Sequence, residues 1–326
     1  MGSTSRWAGI GAALVVACSD DGVPQDTTEG TGGGITITSA VETGGTIASS
    51  ADGSGPFFDV GDSMGEAQGE AGTDMGCKKV DVVIAVDNSS SMTEEIAALQ
   101  GPVFDSFPQT LLAVNDGLED FHLGLIDACP KPAALQDEGE AGACGYSTGA
   151  NYMVSSSPAL AAEFSCATEL PFMAGWSGGA DECEDSLDDD EQPSLTAATV
   201  VSAPFVNMAN AGFLRDDAVL MIVAITDEDE ALVDANDVLA IYDMLLAAKG
   251  GDLDAIAFLG VAGGSDCDGA YGSANDATAA QGLAQLFADQ GRGMFWDLCQ
   301  GQLEVGFEMF IETIVDSACT SFEPPG

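Results

Sequence analysis

Runs of apolar residues alternate with helix-type patterns along the chain from about residue 77. Apolar runs bounded by polar residues predict strands over residues 80–86, 120–126, 218–226, 254–261 and 293–298. Apolar positions at helical spacing predict helices over about 92–114, 193–209, 233–249, 276–290 and 301–317. Because strands and helices alternate, we predict an α/β fold in which a doubly wound, mostly parallel sheet is flanked by helices on both faces.

The composition is different before the first predicted strand. Residues 18–76 are rich in Gly, Ser, Thr, Asp and Glu, and such a segment does not bury enough apolar surface to offset its ordering entropy. We therefore predict a disordered tether over residues 18–76, a folded domain over 77–321 and a short tail over 322–326. Residues from about 128 to 192 are too many for a plain connection, and their cysteines indicate an acidic insertion held by disulfides.

The N-terminus has the order of a secretory signal. Arg6 precedes a short apolar run, Trp7–Ala17, which is too short to span a bilayer, and Cys18 follows directly. This segment resembles the signal peptide and lipobox of bacterial lipoproteins. The resemblance implies removal of residues 1–17, lipidation of Cys18 and a place in the cell envelope, on the outer membrane, the cell surface or the periplasmic face. The open alternative is an ordinary signal peptide in which Cys18 has no role.

The cysteine count agrees with an exported protein. The chain has nine cysteines, and eight remain if Cys18 carries lipid, an even number that fits disulfides. We predict that Cys77 pairs with Cys319, because these residues flank the domain and domain termini often lie close together. We also predict a Cys267–Cys299 pair, which leaves the cysteines of the insertion to pair among themselves: Cys129, Cys144, Cys166 and Cys183. A zinc site is disfavoured, because the chain has one His and no Cys-x-x-Cys.

Two of the predicted strands end in oxygen-rich turns. Residues 87–91, Asp-Asn-Ser-Ser-Ser, follow the first strand, and residues 226–228, Thr-Asp-Glu, follow the third. Carboxylate and hydroxyl oxygens are hard ligands that suit Mg²⁺, Mn²⁺ or Ca²⁺. Open α/β sheets bind ligands outside the carboxyl ends of their strands, so both turns are in the place where a ligand site is expected. The alternative for each Asp is a helix N-cap.

These two turns resemble the metal-ion-dependent adhesion site of von Willebrand factor type A (vWA) domains. The resemblance implies that a divalent cation is held by four side chains: Asp87, Ser89, Ser91 and Asp227. It also implies an open coordination position, which an acidic group of a protein or another acidic ligand completes. Residues 210–218, leading into 225–229, are further similar to exported vWA lipoproteins of myxobacterial type.

The sequence departs from the vWA pattern in two places. Glu228 stands where the family has Gly, and no Thr stands where the family has its middle ligand. Thr196 falls inside a predicted helix, and the residues nearer to the expected position are acidic: Asp189, Asp190 and Glu191. Either a carboxylate has replaced the hydroxyl, which would favour Ca²⁺, or residues 181–191 are a solvated acidic loop.

The charge balance limits the partners. Seven Lys and Arg stand against 54 Asp and Glu, which gives a net charge of −47. This balance argues against nucleic acid, because binding to phosphates requires cationic side chains. Solubility or adaptation to salty surroundings is an alternative reason for such acidity.

The sequence favours a binding protein and not an enzyme. We expect a cell-envelope lipoprotein, attached to the membrane through its lipid alone, that presents a cation-dependent adhesion-type vWA domain. One alternative is a structural envelope protein whose metal only stabilises the fold. A remote alternative is a phosphoryl-transfer enzyme of haloacid-dehalogenase type using Asp227 and Asp229, although only Lys249 follows to hold a phosphate. A Gly-x-Ser-x-Gly pattern at 175–179 lacks the preceding strand and the later His of a serine hydrolase.

Overall fold

The computed structural model describes residues 78–89, 91–113, 118, 120–128, 134–139, 141–169, 191–230 and 235–325. The predicted signal peptide, Cys18, the predicted tether and Cys77 lie outside the described residues. All described helices and strands fall within the domain predicted over residues 77–321.

A mostly parallel sheet of six strands forms the centre of the domain. Its strands are β1 (Lys79–Val86), β2 (Asp120–Asp127), β3 (Met153–Val154), β4 (Val219–Ile225), β5 (Ile256–Ala262) and β6 (Gly293–Asp297). Across the sheet the order is β6-β5-β4-β1-β2-β3, and only β3 runs antiparallel to its neighbour. Read from the β3 edge, this is the 3-2-1-4-5-6 order of a doubly wound sheet.

Burial on both faces explains the continuous apolar runs of the inner strands. Every residue of β4, with the sequence VLMIVAI, is buried, and β5 is buried in the same way. A parallel sheet covered by helices on both faces requires this pattern, whereas a half-exposed sheet would show alternation. The predicted α/β class and the strands at these positions are therefore confirmed.

Eight α-helices cover the two faces in the described part of the chain. One face carries α1 (Thr93–Ala98), α2 (Phe104–Ala113), α3 (Leu160–Thr168), α7 (Leu303–Phe310) and α8 (Asp316–Ser321). The other face carries α4 (Pro193–Val200), α5 (Ala235–Ala248) and α6 (Thr278–Ala288). Each set packs its apolar side chains against alternate residues of the strands, which gives one core on each side of the sheet.

Three helix predictions differ from the observed helices. The segment predicted as one helix over 92–114 is divided by a π-helical turn, Leu99–Val103, in which Gly101 has a non-helical ψ of −118°. The helix predicted over 301–317 runs from Leu303 to Ser321 and includes a π-helical turn at Ile311–Val315. The helix predicted over 193–209 ends at Val200, and a short 3₁₀ turn follows at Phe205–Asn207.

Two disulfides are present among the described residues. Cys267 is bonded to Cys299, as predicted, and Cys144 is bonded to Cys166 within the insertion. Cys319 is buried and disulfide-bonded, while its predicted partner Cys77 lies outside the described part of the chain. The insertion is more regular than expected, because it supplies both the edge strand β3 and helix α3.

The basic residues of the described chain all lie near the amino-terminal ends of the strands: Lys78, Lys79, Arg215, Lys249 and Arg292. Arg215 Nε donates to the buried carboxylate of Asp81 at 2.8 Å, and Arg215 also pairs with Asp120. Lys249 Nζ donates to the carbonyl oxygens of Arg215 and Ala218, both at 2.7 Å. Around the opposite, carboxyl ends of the strands, the described residues include no Lys, Arg or His.

Candidate metal centre

The sheet topology brings two distant turns together. Strands β1 and β4 are parallel neighbours, with Val86 paired to Ile225 at their carboxyl ends, and the N–H of Asp87 donates to the Ile225 carbonyl at 2.9 Å. From β1 the chain continues to β2 on one side, and from β4 it continues to β5 on the other. This is the point at which doubly wound sheets open a crevice for ligands.

Asp87 is buried, and hydrogen bonds fix both oxygens of its carboxylate. Oδ1 accepts from the N–H of Ser89, and Oδ2 accepts from the Thr226 hydroxyl, each at 2.8 Å. The Thr226 hydroxyl oxygen also accepts from the N–H of Glu228 at 3.2 Å. The carboxylate therefore joins the turn after β1 to the turn after β4.

The two serines extend from this carboxylate towards solvent. The hydroxyl oxygens of Ser89 and Ser91 are 2.8 Å apart, and Ser91 Oγ donates to Asp227 Oδ1 at 3.2 Å. Ser91 is exposed, whereas Asp227 is buried. The structure thus brings together all four side chains that the sequence singled out, and their oxygens converge on a position open to solvent through Ser91.

A third carboxylate belongs to the same cluster. Asp87, Asp227 and Glu228 each place one oxygen within 4.8 Å of the others. In the sequence, Glu228 was a departure from the vWA pattern and not a predicted ligand. The feature of the sequence that could have indicated Glu228 as part of the cluster is its position directly after Asp227.

The electrostatics of the cluster are unfavourable for three carboxylates. Burial raises the pKa of Asp87 above its ordinary value, since desolvation penalises the charged form. Burial, followed by the neighbouring charge of Asp87, raises the pKa of Asp227 to about 7. With no described basic side chain at this edge of the sheet, a divalent cation is the kind of group that would compensate these charges.

Thr196 does not supply the middle ligand of the vWA pattern. Thr196 is buried within α4, and its hydroxyl donates to the Ala128 carbonyl at 2.9 Å, so it is engaged elsewhere. Asp189 and Asp190 lie outside the described residues. Glu230 was not among the residues predicted for the site. Its oxygens accept from the N–H of Ser194 at 3.1 and 3.2 Å and thereby cap α4.

Asp229 and Lys249, which the phosphoryl-transfer alternative uses together with Asp227, make structural contacts. Asp229 accepts from the N–H of Ala279 and from the Thr278 hydroxyl, both at 2.8 Å, at the first turn of α6. Lys249 binds carbonyls at the start of β4, whereas Asp227 follows the end of the same strand. The Gly-x-Ser-x-Gly pattern at 175–179 lies outside the described residues.

Comparisons with known proteins return no relative. No protein-family model matches the chain, and no curated protein or solved structure matches it either. Within the described ranges, no helix is both long enough and apolar enough to cross a bilayer.

Proposed function

We propose that this protein is a cell-envelope lipoprotein that presents a divalent-cation-dependent, ligand-binding domain of vWA type. The observation that carries the proposal is the convergence of two buried carboxylates, Asp87 and Asp227, with the hydroxyls of Ser89 and Ser91 at the junction of β1 and β4. The 3-2-1-4-5-6 strand order supports the vWA comparison, because it makes this junction the place for a ligand.

Each residue of the centre has a distinct role in this proposal. Asp87 is the fixed ligand, because its hydrogen bonds to Ser89 N–H and Thr226 prevent it from turning away. The two serine hydroxyls and Asp227 supply the remaining protein oxygens. A bound cation would offer its open position to a carboxylate of the partner, and exposed Ser91 marks the side from which that carboxylate approaches.

A structural role for the cation is the second candidate function. It is favoured by the third carboxylate, Glu228, because additional negative ligands weaken the attraction of the cation for an incoming acid. In that case removal of the cation lowers the melting temperature and leaves any partner capture unchanged, since a ligand bound only to the native state stabilises it by mass action.

Support for export comes from the cysteines and for anchoring from the N-terminal sequence. The Cys144–Cys166 and Cys267–Cys299 disulfides fit an oxidising compartment, where such bonds persist. The signal-like segment that ends at Cys18 supplies the proposed lipid attachment. Mass spectrometry of the protein from its native membrane tests this directly, because lipidation adds acyl mass to Cys18 and removes residues 1–17.

The cation site is tested by isothermal titration of Mg²⁺, Mn²⁺ and Ca²⁺ into the metal-stripped protein. We expect saturable binding that is lost in Asp87→Ala and kept in a matched control, Asp252→Ala. Asp252 is exposed, and its carboxylate accepts from Asp254 N–H at the amino edge of the sheet, far from the cluster. Weak, non-saturable binding that is equal in all three proteins would contradict the proposal.

A further inference from the structure

The two edges of the central sheet are built differently. At one edge, β3 has only two residues, and such a short strand offers little backbone to another chain. At the other edge, β6 has five residues with the sequence GMFWD, and four of them are partly exposed. Edge strands in proteins are often protected by lysine, proline or a bulge, and β6 has none of these.

Part of the backbone of β6 points away from the sheet. The N–H of Phe258 in β5 donates to the carbonyl of Arg292 at 2.9 Å, directly before β6, and the pairing of β5 with β6 then continues without interruption. Because the backbone groups of successive residues in a strand point to opposite sides, those of Gly293 and Phe295 are directed away from β5. Within the described ranges, neither residue has a hydrogen-bond partner for these outward groups. Such a row of N–H and C=O groups is a template for another strand.

Helix α7 lies beside this edge. On one flank of α7, the ring of Phe307 contacts the ring of Phe107 in α2 at a centroid distance of 5.9 Å. Nearer to β6, Gly306 packs so closely on the indole of Trp296 that an added Cβ would overlap the ring. The flank of α7 that is turned away from α2 therefore borders the open edge of the sheet.

Two exposed apolar residues stand on this flank of α7. A helix turns by about 100° per residue, so Met309 lies about 60° and Val305 about 100° from Gly306, both on the side away from Phe307. Met309 is 44% exposed and Val305 is 42% exposed, and they are two of the four large apolar residues of the described chain that are exposed. An apolar surface is thus left uncovered next to the unpaired backbone of β6, and such surfaces often mark interaction sites.

The same surface is poor in charge, although the chain has a net charge of −47. β6 has one charged residue, Asp297, and its carboxylate turns back to accept from the N–H groups of Gly264 and Cys299, both at 2.9 Å. The acidic residues of α7, Glu304 and Glu308, line a groove against α2 on the opposite flank. Two copies of this chain, which repel each other through their acidic surfaces, therefore meet here at low electrostatic cost.

We propose that the protein forms a dimer through the β6 edge, and that the occupant of this edge is a second copy of the chain. The two β6 strands run antiparallel about a two-fold axis, with Phe295 opposite Phe295 of the second copy, so that all five residues overlap. The axis places α7 beside α7 of the second copy on the same face of the joined sheet, and Val305 of each copy packs near Met309 of the other. Because each surface meets its own copy, the dimer is closed.

A second copy fits this surface better than an isolated peptide strand does. An extended peptide pairs with the backbone of an edge strand. Adjacent layers of secondary structure are about 10 Å apart, so a single strand beside β6 leaves Val305 and Met309 uncovered. A second copy supplies a strand and a helix in the same relative positions, and it covers both.

The contact area agrees with a dimer of modest affinity. β6 is about 17 Å long, and three layers that are about 10 Å thick each make the edge about 30 Å deep. The footprint is thus about 500 Å² per copy, or about 1,000 Å² in total, which is the lower limit for a specific interface. An interface of this size is expected to have a Kd in the micromolar range.

The test is sedimentation velocity of the full chain over a protein concentration of about 1–100 μM, a range that includes the expected Kd. Chelator is present throughout, so that cations do not bridge the acidic surfaces of two copies. We expect a monomer–dimer equilibrium that shifts towards dimer between about 0.01 M and 0.15 M salt, because salt screens the repulsion between the copies.

A pair of double variants locates the interface. Val305→Glu/Met309→Glu brings like charges together across the axis, and we expect it to raise the dimer Kd at least about tenfold. The matched control, Met208→Glu/Leu239→Glu, adds the same charge at the two other exposed apolar positions, which lie after α4 and on α5. The control should keep the Kd of the wild type. All four residues are exposed, so these variants leave the core intact.

Cysteine substitution tests the register of the two strands. In Phe295→Cys, the new thiols face each other across the axis with their Cα atoms about 5.5 Å apart, which is within the range of a disulfide. Oxidised glutathione should therefore produce a covalent dimer on a non-reducing gel. In Met294→Cys, the thiols are offset by two positions, and their Cα atoms are about 7–8 Å apart, so this variant should remain uncrosslinked.

Three results would overturn the proposal. One is a monomer at every concentration, which would leave the β6 edge to a strand of a different protein. Another is a dimer whose Kd is equal in Val305→Glu/Met309→Glu and in the control pair, because such a dimer uses another surface. The third is equal crosslinking in Phe295→Cys and Met294→Cys. Should Phe295→Cys fail to fold, the two charge variants decide the question without it.

Discussion

Replacing Asp87 with asparagine should change stability in opposite directions with and without a divalent cation. In the metal-free protein at pH 8, the Asp87 carboxylate is buried beside Asp227, and its pKa is raised, so its charged form costs folding free energy. Asparagine removes that charge. It can keep both hydrogen bonds, because its amide NH₂ can donate to the Thr226 hydroxyl, which can then turn to the Glu228 carbonyl at 3.2 Å.

With the cation present, the wild type should be the more stable protein. At a free cation concentration of about 100 times Kd, binding to the native state adds about 2.7 kcal/mol to the unfolding free energy. For a domain of this size, about 1 kcal/mol corresponds to a shift of roughly 2–4 °C in melting temperature. The wild type should therefore gain about 5–10 °C more than Asp87→Asn when the cation is added.

Thermal unfolding followed by circular dichroism, first with chelator and then with cation, measures the stability difference between Asp87→Asn and the wild type in both conditions. Asp252→Asn is the matched control, because it removes an exposed carboxylate at the opposite edge of the sheet. The control should gain as much from the cation as the wild type does. Equal gains in the wild type and Asp87→Asn would refute the role of Asp87 as a ligand, whatever the melting temperature of the metal-free variant.

Three further changes test other parts of the structure. Burial raises the pKa of Glu230 from 4.5 to about 7, so its contribution to stability is complete below pH 4.5 and is lost as the pH rises through about 7. Relative to the wild type, the unfolding free energy of Glu230→Gln should increase by about 1.4 kcal/mol per pH unit between pH 4.5 and about 7, as measured by urea unfolding in chelator. Arg215→Met should lose about 3–5 kcal/mol in urea unfolding, because it leaves buried Asp81 without its ion-pair partner. Gly306→Ala should lose about 1–3 kcal/mol, because its Cβ would overlap the Trp296 ring, and near-ultraviolet circular dichroism should report the displaced indole.

Each of these expectations can fail on its own. A pH-independent difference between Glu230→Gln and the wild type would mean that Glu230 is ionised in the fold across the whole range. Addition of Asp81→Asn should restore most of the stability lost in Arg215→Met, and no recovery would mean that Arg215 acts through packing. An unchanged Trp296 signal in Gly306→Ala would show that the helix shifts instead of the ring.

The strands were predictable because the sheet is buried on both faces. Apolar runs such as Val219–Ile225 are short and contain β-branched residues, which favours buried strands over helices, and their alternation with helices along the chain implies parallel pairing. The edge strand Met153–Val154 was not predictable, because two residues carry no periodicity and owe their extended conformation to pairing with β2. The division of the helix predicted over 92–114 could have been expected from Gly101 and Pro102, since glycine and proline both interrupt helices.

The candidate centre was predictable in part for the same reason. Asp87 and Asp227 directly follow strands, so a local pattern places them at one edge of the sheet. The packing of Gly272 against Glu95 could not be derived, because the two residues are distant in sequence. They come together through the hairpin formed by Cys267–Asp268 and Ser273–Ala274. The cap that Glu230 provides to α4 is also a long-range contact, and a run of acidic residues does not show which of its members turn inward.

The run from Asp227 to Glu230 has a consequence for how this chain can vary in length. Three of its four side chains serve three places: Asp227 the candidate centre, Asp229 the start of α6 and Glu230 the start of α4. One residue inserted or deleted directly after Asp227 would shift both Asp229 and Glu230 and break their two contacts together. Chain-length changes should therefore be excluded from this turn even where single substitutions are tolerated, and a loop graft or tag belongs elsewhere in the domain.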